Sequence, residues 1–323
     1  MKARLNYIDY MKTIGIYLIV LGHMFPKPGT IFIYSFSVPL FFFISGFLFS
    51  RSETFGSFLI KNIKSLIVPY LFINVICLFV LLCFNADFSM QDSLKSLLGI
   101  LIGANQGKMS VCAVTKPTCF IYTLFFLRIG LFFISSIRKV YVIAITFLCM
   151  LIAWFLNKMS LPNLAIFNCF SVAPIFILGY VCKRNINSIE KITKTKYGLL
   201  HIFLVFAILL FSSSLNGYVM CYAHNYGNNM ILFYINALLG VYCLYLITTI
   251  FKYNVSCRWN QIISKGTILI LGFHYLLIIL FNKICHTDNL IVTMICAFLI
   301  LVVFIPIIEL TLKSFPWIIG KHK

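Results

Sequence analysis

Apolar runs long enough to cross a bilayer as a helix recur along the whole chain, and that constrains its fold more than any other feature. Ten are read, at roughly 7–25, 31–49, 65–84, 118–136, 140–157, 163–182, 197–215, 230–251, 266–282 and 289–312. Composition agrees: 62% of the 323 residues are hydrophobic and 10% charged, against about a quarter charged in soluble domains. Mean hydropathy is +1.02. Pro39, Pro69, Pro174 and Gly240 fall inside runs, where neighbouring helices can satisfy freed backbone groups. The alternation of an outer-membrane β-barrel is absent. The expected fold is all-α and integral to the membrane, with about ten transmembrane helices in one domain. The first run is too long for a signal h-region and reads as an uncleaved span. The stretch 93–104, "SLKSLLGILIGA", is too short to cross and reads as interfacial or re-entrant.

The 26 Lys and Arg against 7 Asp and Glu invite a nucleic-acid reading, and their positions exclude it. With the N-terminus inside, 18 fall in cytoplasmic segments, 6 in outer ones, and Lys12 and Arg128 within spans. This alternation is the positive-inside pattern, which places both termini in the cytoplasm and anionic lipid headgroups beside the basic loops. The 12 cysteines lie mostly in apolar runs and read as small hydrophobes, without zinc spacing. Cys112, Cys119, Cys221 and Cys285 fall near the outer face, where a disulfide is conceivable.

The first run holds "KTIGIYLIVLGH", with Lys12 and His23 eleven positions apart. Eleven residues turn a helix to within about 20° of three full turns, so both share a face, separated by a rise of roughly 16 Å. Asp9 sits one turn before Lys12 and can pair with it. Lys12 snorkelling to the inner headgroups, with His23 capping the outer end, would account for both. Intramembrane charge is expensive, however, and marks an interior site.

"RLNYIDYMKTIGIYLIVLGH", "IYSFSVPLFFFISGFLFS" and "FLIKNIKSLIVPYLF" together resemble the acyltransferase 3 family of multi-pass membrane O-acyltransferases, and its sugar O-acetylase branch in particular. The family hallmark is a basic residue, ten residues, then His, here Lys12 and His23. Pro39, Phe43, Ser45, Gly46, Pro69 and Tyr70 match further, and "SKGTILILGFH" resembles a late segment ending in His, here His274. Two departures stand out: Cys119, Phe120 and Ile121 where relatives usually show Trp-Phe-Leu, and Ser37 where relatives often have His.

The resemblance implies transfer of an acyl group, expected to be acetyl, from cytoplasmic acyl-CoA to a hydroxyl of an envelope glycan, in a bacterial inner membrane. Lys12 would hold CoA phosphate. His23 would act as general base, or carry the acyl group transiently. Arg128 reads as a second phosphate ligand, or as a structural partner of backbone carbonyls or Asp9. His274 reads as a substrate-site or a structural histidine. Asp9, Ser37 and Ser45 are substrate-site candidates, with helix packing the commoner use of Ser45 and Gly46. Glu309 reads as interfacial or ion-paired, the lysines of 183–196 as topology signals or an attractor of CoA phosphates, and "HNYGNN" (224–229) as an acceptor contact. No metal is implied. A transporter or flippase for a lipid-linked glycan is the alternative, and Ser37 motivates a third reading, a catalytically inactive relative.

Overall fold

A computed structural model describes residues 5–25, 27–51, 54–84, 89–104, 118–159, 164–184, 198–250, 257–284 and 289–321. The described elements are α1 (Asn6–Met24), α2 (Lys27–Phe47), α3 (Phe55–Asn62), a π-helical turn (Ile63–Ile67), α4 (Val68–Phe84), α5 (Met90–Ile102) and α6 (Cys119–Ile134). There follow α7 (Lys139–Asn157), α8 (Ala165–Arg184) and α9 (Gly198–Asn216), then a hairpin of β1 (Val219–Met220) and β2 (Asn225–Tyr226). The chain ends with α10 (Met230–Ile250), α11 (Arg258–Lys265), α12 (Thr267–Ile284), α13 (Leu290–Ser314) and a 3₁₀ turn (Pro316–Ile319).

A helix occupies each of the ten apolar runs, so the protein is an all-α multi-pass membrane protein. Among the described residues seven helical segments are long and apolar enough to cross a membrane, and an eighth joins them if α11 and α12, bent 83° apart, form one span. The bend falls at Gly266, where a Cβ would strike the Ile308 side chain of α13. Two of the ten runs fall short of that measure: α6 has 16 residues, and α1 carries Asp9, Lys12 and His23. Helix α5 has 13 residues, about 20 Å, and cannot cross. The Tyr70 and Tyr122 hydroxyls donate to its Ile100 and Leu101 carbonyls at 2.9 Å each.

Helix α1 is central and touches α2, α10, α11, α12 and α13. Helices α2 and α8 approach through glycines: a Cβ on Gly46 would collide with the Phe176 carbonyl, and one on Gly179 with that of Phe43. Small residues are how membrane helices reach such separations. Helix α7 lies at the rim, with only 6% of its apolar window buried, and shows Ile143, Phe147 and Leu151 to lipid. Lys183 donates to the Phe49 carbonyl at 2.7 Å, and Arg258 pairs with Glu309 at 2.8 Å.

The charge asymmetry yields a direct expectation. Reporter fusions at Lys191, which lies outside the described residues, and at Asn225 should report opposite compartments. The same compartment at both would overturn the orientation.

Candidate active site

A cavity of about 290 Å³ lies between α1, α2, α6, α8, α12 and the hairpin. Helix α1 gives it Ile16, Ile19, Gly22 and His23, an i, i+3, i+4 stripe on one face. From Ile16 to Phe25 this lining rises about 14 Å along the axis. Gly22 keeps that face open, since a Cβ there would come within 3.0 Å of the Tyr34 ring.

At the cavity wall two imidazoles meet. The His274 Nε2 stands 3.4 Å from the His23 Nδ1, with ring centroids 4.9 Å apart. His23 Nδ1 also lies 2.7 Å from the Ile19 carbonyl, and His274 Nδ1 lies 2.8 Å from that of Ile270. A carbonyl oxygen only accepts, so in each neutral ring Nδ1 carries the hydrogen and Nε2 the lone pair. His23 Nδ1–H is therefore shared between the Ile19 carbonyl and the His274 lone pair, and His23 Nε2 is the basic nitrogen. His274 is 0% exposed and sits behind His23 as an orienting acceptor. Tyr34 and Tyr275 complete the surround of His23, with centroids at 5.7 and 6.0 Å.

The rest of the lining is mostly apolar, with Thr30, Thr123, Asn168, Tyr218 and Thr267 as its polar points. Tyr218 and Thr30 share a hydrogen bond. The thiols of Cys119 and Cys221 both line the cavity and are not joined to each other; Cys112 and Cys285 lie outside the described residues. Burial pushes the Cys221 thiol up to about 12, which keeps it protonated and poorly nucleophilic.

The structure unites two of the sequence candidates, His23 and His274, and disperses the others. Lys12 lies one turn N-terminal to Ile16 on the same stripe of α1, beyond the cavity lining. Asp9 is buried and accepts a hydrogen bond from Ser264 at 2.5 Å, while Thr13 donates to the Asn260 carbonyl at 3.4 Å. These bonds tie the N-terminal half of α1 to α11. Ser37 is buried beside the lining stripe of α2, its hydroxyl without a partner among the described residues. Ser45 sits at the α2–α8 contact next to Gly46, away from the cavity. Arg128 lies deeper on α6 than Thr123 and does not line the cavity.

In "HNYGNN" the asparagines build the turn. Asn225 Oδ1 accepts from the Gly227 amide at 3.0 Å, and Asn229 Oδ1 accepts from that of Ile231 at 2.8 Å. Asn228 donates to the Leu215 carbonyl at 3.1 Å. The opposite arm of the hairpin, Tyr218 to Cys221, is what reaches the cavity. Tyr34, Tyr218 and Tyr275 carry no sequence mark among 17 tyrosines, whereas Asn168, a lone amide in an apolar span, was a readable signal.

No curated protein and no solved structure matches the chain. The acyltransferase 3 family model, described as an acyltransferase domain, matches residues 5–310. That match takes in both histidines, the cavity and nearly all of the helices, and on it the chain belongs to the acyltransferase 3 family and is a membrane acyltransferase.

Proposed function

We propose that the protein moves an acyl group, acetyl in the simplest case, from acyl-CoA made in the cytoplasm to a sugar hydroxyl of an envelope glycan. The observation that carries this is the His23 imidazole at the cavity wall, with Nδ1 held by the Ile19 carbonyl and His274. A ring so held presents one basic nitrogen in one orientation, as a general base requires. The acceptor hydroxyl oxygen attacks the thioester carbonyl while His23 Nε2 takes its proton. Collapse of the tetrahedral intermediate breaks the C–S bond, and the departing thiolate recovers that proton from His23. The products are an ester and free CoA thiol. The predominantly apolar lining suits a thin acyl-bearing arm and excludes the water that would hydrolyse the thioester. A transporter needs matched broken helices in two repeats. Among the described residues one bent pair occurs, α11 with α12.

Purified protein given labelled acetyl-CoA and an envelope glycan should yield labelled glycan. Movement of glycan without labelling would replace this reading with the transporter.

Lys12, on the same stripe as His23 and toward the donor's compartment, is assigned to the CoA phosphates. Lys12→Arg should keep most activity because the charge survives. Lys12→Ala should raise KM for acyl-CoA about tenfold or more, with a smaller fall in kcat. Equal behaviour of both variants at normal membrane abundance would remove that assignment.

A further inference from the structure

Helices α3 and α6 run antiparallel along a seam of rings. Phe55 stacks near Phe133 at 5.2 Å between centroids, and Phe58 near Phe132 at 4.9 Å. Arg51, just before α3, hydrogen-bonds Ser136, just after α6, and lies 4.4 Å over the Phe132 ring. Each step along α3 thus matches a step back along α6. One further turn, four residues on from Phe58 and four back from Phe132, brings Asn62 level with Arg128 on the facing sides.

Both residues are left unsatisfied. Asn62 is 0% exposed, and its Nδ2 donates to the Phe58 carbonyl at 2.7 Å, which fixes the sense of the amide. Its Oδ1 is buried without a hydrogen-bond donor, and Arg128 Nε is buried without an acceptor. Among the described residues Arg128 enters no ion pair. Immediately after Asn62 the chain becomes π-helical over Ile63–Ile67, and this widened turn lies against α6. Such turns recur at functional sites.

An intramembrane guanidinium with a buried, unpartnered Nε and no counter-charge among the described residues is costly, and its retention points to an anion that arrives from outside. The surroundings favour that arrival. Lys61 and Lys64 flank Asn62, while Arg51, Arg138 and Lys139 stand at the Ser136 end of the seam, and Glu53, outside the described residues, is the sole acid in 51–67 and 119–139. One sign of charge around a low-dielectric cleft concentrates the opposite ion. Asn62 Oδ1 adds a second requirement. A bare inorganic anion would face that oxygen unfavourably, whereas a phosphoryl group with a nearby N–H or O–H would satisfy both residues.

We propose that the α3–α6 seam is a second ligand site that takes an organic phosphate. The Arg128 guanidinium holds the phosphoryl oxygens, a geometry to which its planar fork is suited. Asn62 Oδ1 accepts from a donor group of the same molecule. This chemistry has two sources, the nucleotide half of coenzyme A or the headgroup of a phospholipid. The first rests on the acyl-CoA reading given above, and the second stands without it.

The test uses the full chain in nanodiscs of phosphatidylcholine, whose headgroup has no N–H or O–H to offer Asn62. Coenzyme A is titrated calorimetrically. In parallel, phosphatidylglycerol is supplied, and its retention is read by native mass spectrometry. Arg128→Gln removes the charge. Asn62→Asp is near-isosteric and gives Arg128 an internal counter-ion, so it should raise the ligand-free Tm while blocking the ligand. Both variants should weaken binding about ten- to hundredfold. Loss confined to coenzyme A assigns the nucleotide, and loss confined to phosphatidylglycerol assigns the lipid headgroup. If Arg128→Gln fails to fold, Asn62→Asp carries the test. Ile143→Ala, at the lipid-facing rim of α7, leaves the seam intact and should bind as wild type in both arms. Wild-type binding of both ligands by the seam variants overturns the second site, and the acyl-transfer role of His23 is untouched by that result.

Discussion

His23→Ala should abolish detectable acyl transfer while the protein still inserts and accumulates in the membrane. A general base contributes roughly 10²–10⁴-fold to rate, and more if it also carries the acyl group. The ring is only half-buried, and its Nδ1 is paired with a helix carbonyl that already serves the backbone, so its removal leaves a single buried acceptor, His274 Nε2, without its donor. A small apolar side chain is readily accepted in α1. The decisive companion is His23→Gln. Glutamine can reproduce a hydrogen bond to Ile19 or His274 but cannot take up a proton near neutral pH, so it should fail as Ala does. The readout is acylated glycan beside the membrane abundance of each variant. Near-normal product from His23→Gln would remove the base role and leave only a capping one.

The sequence made α1 legible because one helix carries the signal whole. Lys12, Ile16, Ile19 and His23 are set on one face by the 3.6-residue period alone, and the cavity lies along that stripe. His274 was legible as a buried histidine but not as the neighbour of His23. The two are 251 positions apart, and helix packing alone brings them together. The same holds for Tyr275, and for Tyr34, whose position depends on Gly22 admitting its ring. "HNYGNN" looked like a polar ligand surface because composition does not reveal that a turn consumes its own amides. The run 266–282 read as a plain span, and its sharp departure from α11 at Gly266 rests on a close approach to Ile308 that no local pattern encodes. Arg128 was visible as an intramembrane charge. Its facing residue, Asn62, follows only from the register of α3 on α6.

His274 should tolerate what His23 does not. In the proposed mechanism its part is to offer a lone pair to His23 Nδ1–H at 3.4 Å, which would hold the tautomer and steady the imidazolium once the acceptor's proton has been taken. That part needs an acceptor and not a base. His274→Gln places an amide oxygen within reach of the same hydrogen and should keep activity within about tenfold of wild type. His274→Leu supplies none and should lower kcat by about ten- to hundredfold, the scale of a hydrogen bond to a charged group. KM for the donor should change little, because His274 is fully buried behind His23 and away from the cavity lining. Leu leaves the Ile270 and Leu271 carbonyls with their helix partners, so membrane abundance should hold. The measurement is kcat and KM for both variants in purified protein, beside His23→Gln. If His274→Gln is as inactive as His23→Gln, His274 itself transfers a proton and the orienting role is wrong. If His274→Leu works normally, the contact between the two rings has no part in catalysis.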